Sequence, residues 1–268
     1  MQVSKDNIDN RTLSIRISTD GFCFCRYAPS NPDSLKYNFY KPDRTLSLAA
    51  NLQRGIEACP FIVAGESYSV KAIIETDEFI TLPAEYDDKQ HYRHFHRYAF
   101  PNKDARVEIF SNRLNAQGMT VIFPVEKSLC ANLQVLGDVA YYAPVSIFMG
   151  LLTRMELPQQ RYMLACLQGD MSLYIAVDNG KVQLTNCFKE SGDDSVYYLL
   201  SIWKELGLSQ TDDVLYICGD KCVEERLLLI SRFIKNCKRM NGNSLFAANL
   251  LNRMEGIPFD LMALMLCE

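Results

Sequence analysis

Apolar and polar residues alternate at the start of the chain. Leu13-Ser14-Ile15-Arg16-Ile17 has the two-residue period of a half-buried strand. Asp20-Gly21 marks a turn, and Phe22–Ala28 and Leu35–Tyr40 alternate again, so residues 13–41 predict an antiparallel three-strand meander. Thr45 to Cys59 has helical spacing and ends before Pro60. Strands are predicted at Ser69–Glu75, Phe79–Pro83, Arg106–Phe110 and Met119–Val125. Helices are predicted around His91–His96, over Glu126–Leu136 and over Ala143–Arg154.

The second half opens in the same way. Tyr162–Leu167, Ser172–Val177 and Lys181–Phe188 are three β runs joined at Gln168-Gly169-Asp170 and at Asp178-Asn179-Gly180. Val196, Leu199, Leu200, Trp203 and Leu206 then form one apolar helical stripe, with Asp193 or Asp194 as cap and Gly207 as terminator. Val214–Cys218 reads as an interior strand and Val223–Cys237 as a helix. Leu245–Met254 reads as helical, and Phe259–Leu266 as a final strand or short helix. The order of meander, helix, inner strand, helix and strand thus occurs twice, with Leu157-Pro158-Gln159-Gln160 as the boundary. The predicted division is a first lobe over 11–157 and a second over 158–268.

Composition narrows the partners. Net charge is −4 over 268 residues, which speaks against a nucleic-acid binder. Lys235, Lys238 and Arg239 cluster where a helix C-terminus is predicted, and there the dipole accounts for them. No apolar run is long enough to insert in a membrane, and the polar start MQVSKDNIDNRTL lacks a signal-peptide core. Ten cysteines without CxxC spacing read as reduced, buried thiols, and the expected location is cytoplasmic. His91, His94 and His96 are the only histidines. On a helix His96 points away from the other two, so the expectation is no metal site rather than a zinc centre. G-x-S-x-G and Walker A patterns are absent, and Glu85, Asp87 and Asp88 suit a helix start.

Two stretches, FITLPAEYDD at 79–88 and VYYLLSIWKELGLSQTDDVLYICGD at 196–220, carry a further likeness. With the repeated order, they resemble a bacterial domain-of-unknown-function family with an actin-like ATPase (ribonuclease H-like) fold. Pilus-assembly and secretion members of that superfamily are similar at greater distance. The resemblance covers residues 11–266. It implies a duplicated α/β fold, each lobe a mixed sheet opened by a three-strand antiparallel meander and flanked by helices. It also implies that the first hairpin turn of each lobe faces nucleotide phosphates. Such turns are glycine-rich, so that backbone N–H groups approach phosphate, with an Asp to hold Mg²⁺ through water.

Here the matching turns are Ser18-Thr19-Asp20-Gly21 and Gln168-Gly169-Asp170, with one glycine each. The adenosine-side loop, a glycine pair in the superfamily, is Gly219-Asp220. Asp20, Gly21, Gly169, Asp170 and Gly219 are therefore the nucleotide-cleft candidates. Each also suits an ordinary turn. The expectation is a non-catalytic binding or scaffold protein with a degenerate cleft, no cofactor and an unidentified protein partner. The alternative is an ATP-binding ATPase or kinase-like protein using ATP with Mg.

Overall fold

The alternation of residues 13–41 folds as predicted, into β1 (Thr12–Ile17), β2 (Phe22–Ala28) and β3 (Asn31–Tyr40), paired antiparallel. The computed structural model describes residues 12–28, 31–101, 106–155, 157–189, 194–219, 223–240 and 256–266, apart from the side chains of 32, 33 and 266. The predicted helix at Leu245–Met254, Asp193 and Asp220 lie outside the described residues.

After the meander comes α1 (Leu48–Ala58), capped by the Ser47 hydroxyl, which accepts from Ala50 N–H. Then β4 (Tyr68–Ile74) enters the sheet parallel to β1. An insertion follows: β5 (Ile80–Pro83), α2 (Tyr92–Ala99), β6 (Val107–Leu114) and β7 (Met119–Glu126). Its strands form a separate sheet in the order β5-β7-β6. Next come α3 (Lys127–Gln134), β8 (Gly137–Tyr142) and α4 (Pro144–Arg154), with β8 parallel to β4. The first sheet is therefore β3-β2-β1-β4-β8.

The second half repeats the plan without the insertion. It runs β9 (Arg161–Gln168), β10 (Met171–Asp178), β11 (Lys181–Lys189), α5 (Asp194–Glu205), β12 (Val214–Gly219), α6 (Val223–Ile230), β13 (Cys237–Arg239) and α7 (Phe259–Leu266). Its sheet order, β11-β10-β9-β12-β13, matches the first position by position. Asn179 and Gly180 both take positive φ (49° and 73°), the turn that joins twisted antiparallel strands without splaying them. Gly207 ends α5 in left-handed geometry at φ 61°.

The two halves are not independent bodies. α4 packs against α7 and β10, and α7 packs against β1. Phe148 of α4 stacks on Phe259 of α7 at 6.0 Å between ring centroids. One buried cluster runs from Leu13, Ile15 and Phe24 through these helices to Leu164, Cys166 and Ile175. The other face of the second sheet is covered by α5 and α6, which bury Leu199, Trp203 and Ile230 against Leu215 and Ile217.

Three element boundaries differ from the sequence reading. β8 was not anticipated: GDVAYY carries too little apolar alternation to announce itself, because it is an edge strand with Asp138 and Ala140 exposed. The helix expected to reach Cys237 stops at Ile230, and Ile234 is buried from a turn instead. Lys238 and Arg239 thus lie on β13, not at a helix end. Arg239 pairs with Glu224, and Lys238 sits 5.9 Å over the Tyr216 ring. Phe259–Leu266, read as strand or helix, is helical.

Truncating Phe148, fully buried between the lobes, should destabilise the whole chain. Phe148→Ala is expected to cost about 3–5 kcal/mol, measured by urea denaturation. A change below about 1 kcal/mol would show that α4 does not join the two halves.

Candidate functional site

The seam between the sheets is organised around Arg16. Alternation places it on a polar face of β1, yet it is only 5% exposed. β1 is the central strand of its sheet, and the burial of successive residues from Leu13 to Ile17 shows that both of its faces are covered. Arg16 Nε donates to Asp260 Oδ2 at 2.8 Å, and its Nη2 pairs with Glu75. With its amide oxygen facing the guanidinium, Gln168 Oε1 accepts from Nη2 at 2.7 Å and Nε at 3.0 Å.

These partners come from three places. Glu75 follows β4, where its N–H donates to Ile17 O at 3.0 Å. Asp260 is in the first turn of α7, and Gln168 ends β9 in the second lobe. One side chain therefore ties β1 to the end of β4, to the C-terminal helix and to the second lobe.

The electrostatics are those of a buried cluster. Burial opposes the Arg16 charge, but Asp260 and Glu75 outweigh it and hold the guanidinium firmly protonated. Burial pushes the Glu75 carboxyl up to about 7; Arg16 pulls it down, while Asp260 and Asp20 add to the rise. The space left is small. Arg16, Glu75, Phe79, Phe148, Gln168 and Asp260 are among the residues lining a cavity of about 30 Å³. That is room for roughly one water, against the several hundred Å³ of a typical small-molecule site.

The candidate turn residues surround this seam without lining the cavity. Asp20 and Gly169 meet: a Cβ on Gly169, which has φ 56°, would lie 2.2 Å from Asp20 Oδ2. The hairpin turns of the two lobes thus touch. Gly21 does not have positive φ; the ring of the half-exposed Phe39 lies over it, 2.3 Å from where a Cβ would sit. Asp170 is exposed. Gly219 has φ 139° and packs on β9, where a Cβ would lie 1.7 Å from Leu167 O. It therefore sits beside the base of the second turn. Farther along the seam, Thr81 of β5 and Thr185 of β11 are 3.4 Å apart through their hydroxyls.

On the far side of Glu75 and Thr76 a groove of about 700 Å³ opens. Ser47 and Leu48 of α1, Glu78, Pro124 and Lys127 border it. The three histidines diverge. His91 is exposed and bonded to Asp88, His94 is exposed, and His96 is buried with Nε2 3.5 Å from Glu78. Among the described residues no three metal-ligating side chains converge. The cysteines described are free thiols, most of them buried. Cys166 and Cys218 are register partners across β9 and β12. The hydrogen bond that its S–H donates to Cys218, together with burial, holds the Cys166 thiol well above its ordinary range. Among the described residues no helix is long and apolar enough to cross a membrane.

The residues missed from sequence are Arg16, Glu75, Gln168 and Asp260. The available signal was an Arg in the middle of an otherwise apolar run, since a charge there needs a buried partner.

Comparison with known proteins agrees with this geometry. A Bacteroides thetaiotaomicron VPI-5482 protein, described as having an actin-like ATPase fold and unknown function, is 25% identical, with TM-score 0.80 over 100% of both chains. The PilM–PilN type IV pilus biogenesis complex aligns with TM-score 0.58 at 13% identity, over 96% of this chain and 97% of that one, and shares the fold. No curated protein matches the sequence. The family described as "Protein of unknown function (DUF3822)" matches residues 1–237. The chain belongs to the DUF3822 family, and its architecture is the actin-like ATPase fold.

Proposed function

We propose that this protein is a non-catalytic binding or scaffold protein that retains the actin-like form but carries no nucleotide. Its lobes, divided near residue 157, are held shut and act together as one surface for a protein partner. The observation that carries this reading is the Arg16 cluster, beside which the free space is only about 30 Å³. A nucleotide would need Arg16 to leave Asp260 and Gln168, exposing buried charge on both sides. The glycines expected to cradle phosphate have other work, Gly21 against Phe39 and Gly219 against Leu167. A protein partner is supported by PilM, a protein of the same fold, whose structure is of a complex with PilN.

One observation favours the alternative, an ATP-binding protein using Mg. Asp20 and Gly169, from the two turns that would face phosphates, lie against each other. Thermal unfolding with millimolar Mg-ATP separates the readings. The proposal expects no shift in midpoint. A concentration-dependent rise that Asp20→Ala abolishes would establish the alternative.

The role given to Arg16 makes a second expectation. Arg16→Met leaves Glu75 and Asp260 facing each other with no cation between them. At about pH 8 the loss should be about 3–5 kcal/mol, read by urea denaturation. A neutral or stabilising result would mean that the seam is closed by apolar packing alone.

A further inference from the structure

The seam holds one cation and two carboxylates. Arg16 and Asp260 are 5% and 2% exposed, and the Glu75 side chain is 8% exposed. With both carboxylates ionised, this water-poor space carries one uncompensated negative charge. That charge costs far more there than it would in solvent.

The two carboxylates are not equally placed to give it up. Asp260 has both oxygens engaged: Oδ2 takes Arg16 Nε, and Oδ1 accepts from Leu261 N–H at 2.8 Å. It also lies in the first turn of α7, where the helix dipole favours an anion. Glu75 takes a single guanidinium nitrogen through Oε1. Glu75 also borders both the small cavity beside Arg16 and the 700 Å³ groove, so a proton can reach it from solvent.

We propose that Glu75 is a proton-binding site that balances the charge of the seam. The lobes are most tightly closed when it is protonated, and they loosen as it ionises. The charged and titratable groups around it fit that role. Among the described residues Arg16 on β1 is the cation that favours its ionisation, and Asp260 on α7 and Asp20 on the β1–β2 turn oppose it. Cys23 on β2 adds a buried neutral thiol whose own ionisation is disfavoured by burial. Gln168 on β9 is neutral. The groove is bordered by Glu78 and Glu126 and by Arg106 and Lys127, whose charges sum to zero and so do not favour the Glu75 anion.

The direction of the effect follows from linkage. The folded chain keeps the Glu75 proton up to about 7, whereas the ordinary value of a glutamate is 4.5. Folding therefore takes up a proton between these values. The stability from Glu75 is complete below the unfolded value and is lost as pH rises through the folded one. The inference does not depend on whether a nucleotide or a protein partner binds.

The test compares the wild type with Glu75→Gln, a neutral side chain of the same shape. Two readouts are followed from about pH 5 to about pH 8: the thermal midpoint, and amide hydrogen-exchange protection at residues 18–21 and 168–170, each rate being divided by its intrinsic rate at that pH. The wild-type midpoint is expected to fall by roughly 5 °C and protection at both turns to drop. Glu75→Gln should show a smaller drop in both, and the difference between the two profiles is the Glu75 contribution, since His96 and the other titrating groups are common to both proteins. Matching profiles in the two proteins, or a flat wild-type profile, would overturn the proposal. Should the variant fail to fold, ¹³C-carboxyl NMR of the wild type decides: one Glu titrating near neutral pH is expected, and all titrating below about pH 5 would refute it.

Discussion

A guanidinium held in a nearly dry seam is the constraint around which this fold is arranged. Removing Arg16 from water is costly, and only well-aimed acceptors offset that cost. Glu75, Asp260 and Gln168 supply them, and they are scattered along the chain; Arg16 and Asp260 are 244 residues apart. The cluster can form only when β1, the end of β4, the C-terminal helix and the second lobe are all in place. It therefore reports the closed arrangement as a whole. The apolar packing of α4 and α7 supplies most of the adhesion between the sheets. The cluster adds register, since a slip would strand a charge.

The duplication explains why the seam exists. Each half builds the same five-stranded order. With α4 and α7 filling the space between the sheets, the turns after β1 and β9 come together, and Asp20 rests on Gly169. The inserted three-stranded sheet reaches the second lobe at Thr81 and Thr185 and narrows the seam further. Between the two lobes stand the side chains of Arg16, Glu75, Gln168 and Asp260. Fold alone does not confer activity. Under the proposed function, the chemistry of this site is that of a charge cluster rather than a phosphate cradle.

Much of the architecture was legible in the residues. Both meanders, the Asn179-Gly180 turn, the α5 stripe and its Gly207 terminator follow from local rules that need no tertiary context. The site was less legible. Alternation in β1 marks Ser14 and Arg16 as one face, but it does not reveal that this face is covered as well. Asp20, Gly21, Gly169 and Gly219 were readable as turn residues, and at three of the four a ring, a carboxylate or a carbonyl lies where a Cβ would sit. Their backbone approach to a phosphate was an expectation of resemblance, not of local chemistry. β8 and β13 escaped notice because sheet edges carry weak alternation. Ile230, Ile234 and Cys237 mimicked helical spacing across a turn.

The central claim is that Arg16 and its carboxylates, not a nucleotide, occupy the interlobe seam. A high-resolution crystal structure grown in the presence of millimolar Mg-ATP tests it most directly. The account predicts continuous density for the Arg16 guanidinium between Glu75 and Asp260, with Asp20 against Gly169 and no nucleotide between the lobes. Ordered nucleotide in the seam, with Arg16 displaced from Asp260, would contradict it.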